Sequence, residues 1–561
     1  MKISSFDIFD TCLVRKCGTP ENFFDVFSLQ AFNGEVEEWA RQEFVAARRL
    51  AQKSVQSPSM TLQDIWDAFD WTHPQLKSIN ELVNLELQAE REMLVPVLCM
   101  RDKVNACRAK GHHIIFISDM YLPSALLCEI MQTNGFMQDG DSLYVSCECN
   151  AEKWNGELFK YVHDKENLSY RQWHHYGDCE VADYRAPRKL GIKSTHVCHP
   201  YTPYQHQWMT NDYSLGYKSP SIMAGLGRAI HYSTEWTAHT DFVLDIIAPY
   251  YCSLVYRILN NARERGMLRL YFCARDAYPM YRIALQYQSL FPDIACNYLY
   301  ISRQSLYEGD DKAKLQYFIQ EGVATQSDNV AIVDVRSQGK TQRFLSDYLM
   351  EKGYREVFGY YFEMFTLKEQ KYFNPYYCEA NGAYLTLNKN LNQLLLSRWQ
   401  LYEDFFSLND FPKTIDYEID DKGKATPVFS CDTDYEDSMN QQQSYWAKIH
   451  NTILENYASE YVRLGLTKYS DDIFAHVSLP TLNSFMDRPK KTYLEAITDF
   501  WSYRSDQNKY VPYVKRLSIW EIIVEKGDKN NAWAKASKIY TLPEGLADFL
   551  LSIKEKLSCK S

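Results

Sequence analysis

The stretch Phe6-Asp7-Ile8-Phe9-Asp10-Thr11 comes directly after Ile3-Ser4-Ser5 and leads into Leu13-Val14. An aspartate at the tip of a first strand, with a threonine four residues later, reads as a buried strand that delivers a carboxylate into a tight loop. Asp and Thr flank many strand-to-helix turns. One such turn decides little by itself; its weight depends on partners further along the chain.

Ile114-Ile115-Phe116-Ile117 is an unbroken apolar run, too short for a helix, that ends at Ser118-Asp119. That pattern suits a parallel strand buried on both faces, with polar residues at its carboxyl end. Leu143-Tyr144-Val145-Ser146 is a shorter strand, with Lys153 and a helical stretch from Gly156 to Val162 after it. Trp173-His174-His175-Tyr176-Gly177-Asp178 comes next, with Asp183 five residues beyond, and then the strand-like run from Ile192 to Val197. Strands alternating with helices predict an α/β fold built on a parallel, doubly wound sheet. Such sheets bind ligands outside the carboxyl ends of their strands. Asp7, Ser118 and Asp178 all fall on that edge.

Taken in order, Asp7-x-x-x-Thr11, Ser118 after an apolar strand, Lys153, and Gly177-Asp178 with Asp183 resemble the motifs of the haloacid dehalogenase (HAD) superfamily of hydrolases, over roughly residues 1–200. The phrases Phe-Asp-Ile-Phe-Asp-Thr and Ile-Ser-Asp-Met-Tyr-Leu-Pro resemble a subgroup of predicted hydrolases associated with bacterial surface-polysaccharide gene clusters. The resemblance implies a Rossmann-like sheet. It makes Asp7 the nucleophile that becomes an aspartyl phosphate, Ser118 a hydrogen-bond donor to a phosphoryl oxygen, and Lys153 a positive charge between nucleophile and phosphate. It also implies Mg2+, held by Asp7, the main-chain carbonyl of Phe9 and Asp178, with Asp183 completing or orienting that shell. Such a set is chemically coherent. A carboxylate can attack a highly charged phosphoryl group only where a cation and positioned donors neutralise its oxygens, and magnesium is a hard cation satisfied by oxygen.

One position departs from the phosphatase pattern. Members that hydrolyse phosphate esters usually carry a second aspartate two residues after the nucleophile, where it protonates the leaving group and then activates water. Here that residue is Phe9. Asp10 is next, but adjacent residues of an extended segment point to opposite faces. A slow phosphatase, one that borrows another acid, and a long-lived phosphoenzyme that transfers to another acceptor all fit. Plainer readings stand beside the functional ones. Ser118 also suits a cap for the helix near Leu122, and Lys153, among the loop-like residues Asn150 to Asn155, also suits a solvated lysine. His112, His113, His174 and His175 lack zinc spacing and read as packing or surface residues.

Glu21 to Phe32, Glu35 to Lys53, Leu62 to Phe69 and Asn80 to Leu94 carry apolar residues at helical intervals. Gly18-Thr19-Pro20, Ser57-Pro58 and His73-Pro74 mark turns between them. This helical insertion, about 16–105, resembles the superfamily's cap, a movable lid over the site. Arg41 and Arg48 are its candidates to face the site.

The chain has 561 residues, 61 Lys and Arg against 72 Asp and Glu, and a formal charge of -11. That balance argues against general nucleic-acid binding, which draws affinity from a basic surface. Fifteen cysteines without metal-binding spacing predict reduced thiols and a cytoplasmic location. The first residues lack the apolar core of a signal peptide, and the best apolar run, Ile246 to Tyr256, is short and contains Pro249. Aromatic content is 15%, with 42 tyrosines, which suits a glycan-related ligand as well as ordinary cores.

Beyond the first 200 residues, His199-Pro200-Tyr201-Thr202-Pro203 reads as a boundary and 201–232 as linker. A second α/β domain spans 233–410, and a hairpin with a mostly helical region spans 411–561. The strands of the second domain end at Ala274-Arg275-Asp276, at Ser302-Arg303 and at Asp334, before the turn containing Gly339 and Lys340-Thr341. Arg275, Asp276, Ser302, Arg303, Asp334 and Gly339 could line a second phosphate or phosphosugar site; they equally suit strand-end caps and interdomain ion pairs. The leading expectation is a magnesium-dependent hydrolase or phosphoryl-transfer enzyme acting on a phosphorylated sugar or small metabolite in surface-polysaccharide biosynthesis. Two alternatives stay open: a bifunctional protein whose carboxyl half transfers glycosyl or phosphosugar groups, and a binding or scaffold protein with a degenerate hydrolase site.

Overall fold

The computed structural model describes residues 2–210, 218–337, 340–364, 405–409, 412–430, 437–504, 509–518 and 533–543, with single positions 521 and 546. The chain divides into two compact units, Met1–Trp236 and Thr237–Ser561.

Unit 1 is built on β1 (Ile3–Phe6), β4 (His113–Ser118), β5 (Ser142–Val145), β6 (Trp173–Gly177) and β7 (Lys193–His196), with the ribbon strands β2 (Leu13–Arg15) and β3 (Leu94–Pro96) beside them. The five-stranded sheet has the order β5-β4-β1-β6-β7, and every neighbouring pair is parallel. All of β1 is buried, since it is the central strand with a neighbour on each side. Phe6 lies level with Phe116 and Tyr176 and stacks on the latter at 4.9 Å. On one face Ile3, Ile115, Ile117 and Trp173 pack with Leu158, Phe159 and Val162 of the helix Glu157–Glu166. The strand order reverses direction between β1 and β6, which is where open α/β sheets offer a crevice at their carboxyl edge. Asp7 comes just after the first of these strands and Asp178 just after the second.

Four helices, α1 (Pro20–Phe27), α2 (Glu38–Ser54), α3 (Leu62–Asp67) and α4 (Ile79–Met93), fill the interval between β2 and β3, which pair antiparallel as its stem. Their starts are written locally. Thr19 accepts the Asn22 amide ahead of Pro20, and Thr61 with Asp64 and Ser78 with Glu81 form reciprocal capping boxes. Phe27, Phe44 and Trp66 form the apolar centre of the insertion. The buried pairs Arg48–Glu86 (2.7 Å) and Arg15–Glu90 (3.0 Å) tie α2 and β2 to α4. Arg48 is thus consumed inside the insertion, with Trp66 also donating to Glu86, and Arg41 pairs with Glu38. Neither arginine is available as a free anion ligand, because each already faces a carboxylate.

The interval 201–232 is not an extended linker where it is described. Pro203–Thr210 and Ser219–Ser233 are helices, and positions 211–217 lie outside the described residues. Ile222, Met223, Leu226 and Ile230 are buried, so the second helix belongs to the core of unit 1. Its Gly225 lies against the backbone of Cys17 and Gly18 so closely that a Cβ would come within 2.4 Å of three backbone atoms. Turn signals at His199 to Pro203 mark the end of the sheet, and the chain then returns to cover the loop after β1.

Unit 2 contains a second parallel sheet of β8 (Arg269–Cys273), β9 (Ala295–Leu299), β10 (Val330–Ser337) and β11 (Val357–Met364) in the order β11-β10-β8-β9. An antiparallel hairpin, β12 (Thr414–Ile419) and β13 (Ala425–Phe429), packs Tyr417 onto Tyr317 at 4.7 Å within the same core as Leu299 and Val330. The hairpin and the long helix Asp437–Arg463 therefore belong to one unit with the sheet. The stretch Ala238–Glu264 is helical throughout and is apolar and long enough to cross a membrane, in contrast to the short run expected around Pro249. Its apolar window is 89% buried within the protein, as in a core helix.

Candidate active site

Asp7 leaves β1 with its amide donating to the Tyr176 carbonyl at 2.8 Å, which sets the carboxylate beside the end of β6. Ligand oxygens of Asp7, Asp178 and Asp183 lie within 4.8 Å of one another. Lys153 bridges two of them, with Nζ 2.5 Å from Asp7 Oδ1 and 2.7 Å from Asp183 Oδ1. Lys153 is buried, which excludes a solvated surface lysine. Burial opposes its charge, yet the carboxylates of Asp7, Asp183 and Asp119 hold its ammonium well above the ordinary lysine range. Burial likewise pushes the Asp7 carboxyl up; Lys153 pulls it down, and the charges of Asp183 and Asp178 raise it again. Lys153 is the one cation in contact with this group of three carboxyl groups among the described residues, and it touches only two of them, so the cluster is short of positive charge. Hard oxygen donors at this spacing fit a divalent cation such as magnesium.

Several residues hold this cluster in place. Asp183 accepts from the Cys179 amide at 3.0 Å and lies 3.1 Å from His175 Nε2. Burial, partly offset by Asp183, keeps His175 below the usual histidine range, which favours the neutral ring. Its Nδ1 is 2.7 Å from Ser5 Oγ, which itself accepts from Trp173 Nε1. The Ser5 hydroxyl then donates to Nδ1, and Nε2–H donates to Asp183. Gly177 is required here, because a Cβ would lie 2.4 Å from Asp183 Cγ. Both carboxylate oxygens of Asp119 accept the Lys153 amide at 3.0 Å. Ser118 is buried at the end of β4, and the helix Ser124–Thr133 has Pro123 at its cap, so Ser118 is not the helix cap.

The loop after β1 does not run extended. Asp10 adopts a left-handed conformation (φ 54°) and its amide donates to the Leu13 carbonyl. Alternation of faces therefore does not apply, and Asp10 is committed for another reason: its Oδ1 accepts from Arg228 Nη1 at 2.8 Å. Thr11 lies 3.4 Å from Asp178 Oδ1, and its carbonyl accepts from His199 Nε2. Phe9 is overlain by the Arg15 guanidinium at 4.6 Å. Beside this loop is a cavity of about 340 Å³, walled by Phe9, Phe23, Phe24, Met60 and Tyr121, with Asp10, Asp119 and Glu152 among its polar lining.

The structure thus brings together Asp7, Lys153, Asp178 and Asp183, with Ser118 on the neighbouring strand end. Sequence reasoning missed the orienting roles of His175, Asp119 and Arg228. The adjacent Ser118-Asp119 pair was a readable signal for the second; nothing local foretold the others. In unit 2, Ser302 is occupied structurally: it caps the helix Arg303–Tyr307 and donates to the Thr414 carbonyl at 2.6 Å. Gly339 lies outside the described residues.

No family model matches the chain, and no curated protein matches it. Solved structures similar to part of it include a HAD family enzyme from Bacteroides thetaiotaomicron, at 17% identity over 37% of this chain and 98% of that one, with a TM-score of 0.27. A HAD-hydrolase, YfnB, from Bacillus subtilis, bound to magnesium, is 13% identical over 35% of this chain and 88% of that one, with a TM-score of 0.27. A HAD phosphatase from Thermococcus onnurineus is 17% identical over 36% and 87%, also with a TM-score of 0.27. At these values the α/β assignment rests on strand order and register, not on the likeness.

Proposed function

We propose that unit 1 is a magnesium-dependent phosphoryl-transfer hydrolase of the HAD type, acting on a phosphorylated sugar or similarly small metabolite. The observation that carries the reading is Lys153 bridging Asp7 and Asp183, with Asp178 within reach of both, at the switch point of a parallel sheet. Asp7, Asp178 and the Phe9 carbonyl would hold the magnesium, which supplies charge neutralisation at the phosphoryl oxygens. The Asp7 carboxylate attacks phosphorus as the P–O bond to the ester oxygen breaks; with Phe9 at the acid position and Asp10 held by Arg228, the departing oxygen takes its proton from solvent, and water then hydrolyses the aspartyl phosphate. The Lys153 ammonium and the Ser118 hydroxyl are assigned to the phosphoryl oxygens, where preorganised donors stabilise developing charge. Asp183, oriented by His175 and the Cys179 amide, keeps Lys153 aimed at Asp7.

The organic part of the substrate is assigned to the 340 Å³ cavity, at the small end of ligand sites. Its aromatic wall and carboxylate lining favour a neutral or cationic group carrying hydroxyls over a second anion. The insertion supplies Phe23, Phe24 and Met60 to that wall, consistent with a cap that selects substrate. A place in surface-polysaccharide biosynthesis is proposed from the sequence resemblance alone.

The test is phosphate release from a panel of phosphorylated sugars and small metabolites with magnesium, compared with Asp7→Asn. Release that requires magnesium and falls at least ~10³-fold in the variant supports the reading, since the covalent route is then lost. A folded, magnesium-loaded protein that releases no phosphate from any member of the panel sinks it, in favour of a binding or scaffold role.

A further inference from the structure

The second sheet has a switch point of its own. Numbered along the chain, its strands lie in the order fourth, third, first, second, so the direction of winding reverses between β8 and β10. The register places the opening. β8 pairs with β10 only from Arg269↔Val330 to Phe272↔Val333. β10 then continues alongside β11 as far as Ser337↔Met364, while β8 continues alongside β9 to Cys273↔Leu299. The Ala274 amide still donates to the Leu299 carbonyl at 2.8 Å. The two central strands therefore part at Cys273 and Asp334, and this is the place where sheets of such order hold ligands.

The side chains at that opening are chemically mixed. Asp334 is half-buried, with one oxygen accepting the Val335 amide at 2.8 Å. Asp276 is half-buried at the end of β8, and the charges of Arg275 and Arg303 act on its carboxyl. Burial pushes the Cys273 thiol up, and the charges of Asp334 and Asp276 both add to the effect. Arg275 and Arg303 are exposed and make no ion pair among the described residues. On the β9 side Tyr298 is closed off by aromatic packing, with Tyr278 edge to face at 5.3 Å and Tyr281 stacked at 5.6 Å.

We infer that the β8/β10 switch point of unit 2 is a binding site for a phosphorylated sugar, with Arg275 and Arg303 taking the phosphate and Asp334 and Asp276 the hydroxyls. A guanidinium pair matches phosphate oxygens with charge-assisted bonds. Carboxylates are acceptors only and suit a diol. A free sugar phosphate and a nucleotide sugar share this chemistry. The inference does not depend on the hydrolase reading of unit 1.

Calorimetric titration of the full-length Asp7→Asn chain without magnesium tests it, with α-glucose 1-phosphate, UDP-glucose and inorganic phosphate as probes. At least one sugar-bearing probe binds more tightly than inorganic phosphate, and the tighter of the two identifies the source. Adding Arg275→Ala weakens that binding by roughly tenfold or more, the scale of one charge-assisted hydrogen bond. Adding Asp334→Asn weakens the sugar-bearing probe and leaves inorganic phosphate unchanged. Arg303→Ala, at an exposed helical position, serves where Arg275→Ala does not fold. Absence of binding by all three probes at millimolar concentration overturns the inference, as does binding that is unaltered in folded Arg275→Ala or Arg303→Ala and in folded Asp334→Asn protein.

Discussion

Lys153 shows how much one side chain carries. It is buried against two carboxylates, and removing one partner of a buried charge set leaves the others uncompensated. Lys153→Met is expected to destabilise unit 1 by about 3–5 kcal/mol, with magnesium restoring part of the loss by binding the freed carboxylates. Thermal melts with and without magnesium check both halves; a variant as stable as the parent would contradict the bridging role. Asp119 acts one step removed, by holding the Lys153 amide. Asp119→Ala should lower turnover about 10–100-fold, the usual cost of losing an outer-shell partner, and should do so through kcat with KM nearly unchanged. Asp119→Asn keeps one acceptor oxygen and is expected to recover part of the rate.

At the scale of elements, the strands are legible in the sequence and the returning helix is not. Ile114 to Ile117 can be read as buried because nothing polar interrupts it, and the capped starts at Thr61 and Ser78 are local chemistry. Ser219–Ser233 reads as linker because its partners, Cys17 and Gly18, lie some two hundred residues earlier in the chain. Its small residue at 225 is a matter of contact. Gly225→Ala would force backbone apart at atoms that cannot rotate away, and a cost of about 1–3 kcal/mol is expected. Chemical denaturation should register that loss. Arg228, on the same helix, holds Asp10 away from the role of spare acid. The left-handed conformation of Asp10 also escapes the sequence, since the tight loop can be read there but not which residue takes the positive φ.

Across the whole molecule, the histidines of unit 2 set an acid limit. His239 lies 3.0 Å from His450 and 3.1 Å from Asp499, and it stacks on Trp446 at 3.5 Å. Burial holds both histidines below the usual range, Asp499 partly offsetting it at His239 and the neighbouring ring adding to it at His450. If His239 Nε2–H donates to Asp499, then His450 Nε2–H donates to His239, and the buried His450 Nδ1 is left as an acceptor without a partner among the described residues. Both rings take up protons less readily in the folded protein, so as pH falls below about 6.5 the unfolded chain is protonated first. Stability therefore falls with falling pH, by up to ~1.4 kcal/mol per pH unit for each histidine concerned. Melting of unit 2 between pH 8 and pH 5 in ~0.5-unit steps should show that slope, and His450→Phe should flatten it; an unchanged slope in the variant would count against this origin.

The order of motifs from Asp7 to Asp183 determined, without any coordinates, that a parallel sheet would gather carboxylates at one edge, because strand pattern and strand-end chemistry are local and leave their mark in spacing. What only the tertiary structure decided is which groups those carboxylates meet. Lys153 is buried rather than solvated, His175 and Asp119 orient the cluster, Asp10 is held by Arg228, and 219–233 belongs to the core. Each of these depends on contacts between distant segments, and the desolvation that gives a buried charge its partner arises only when the fold closes around it.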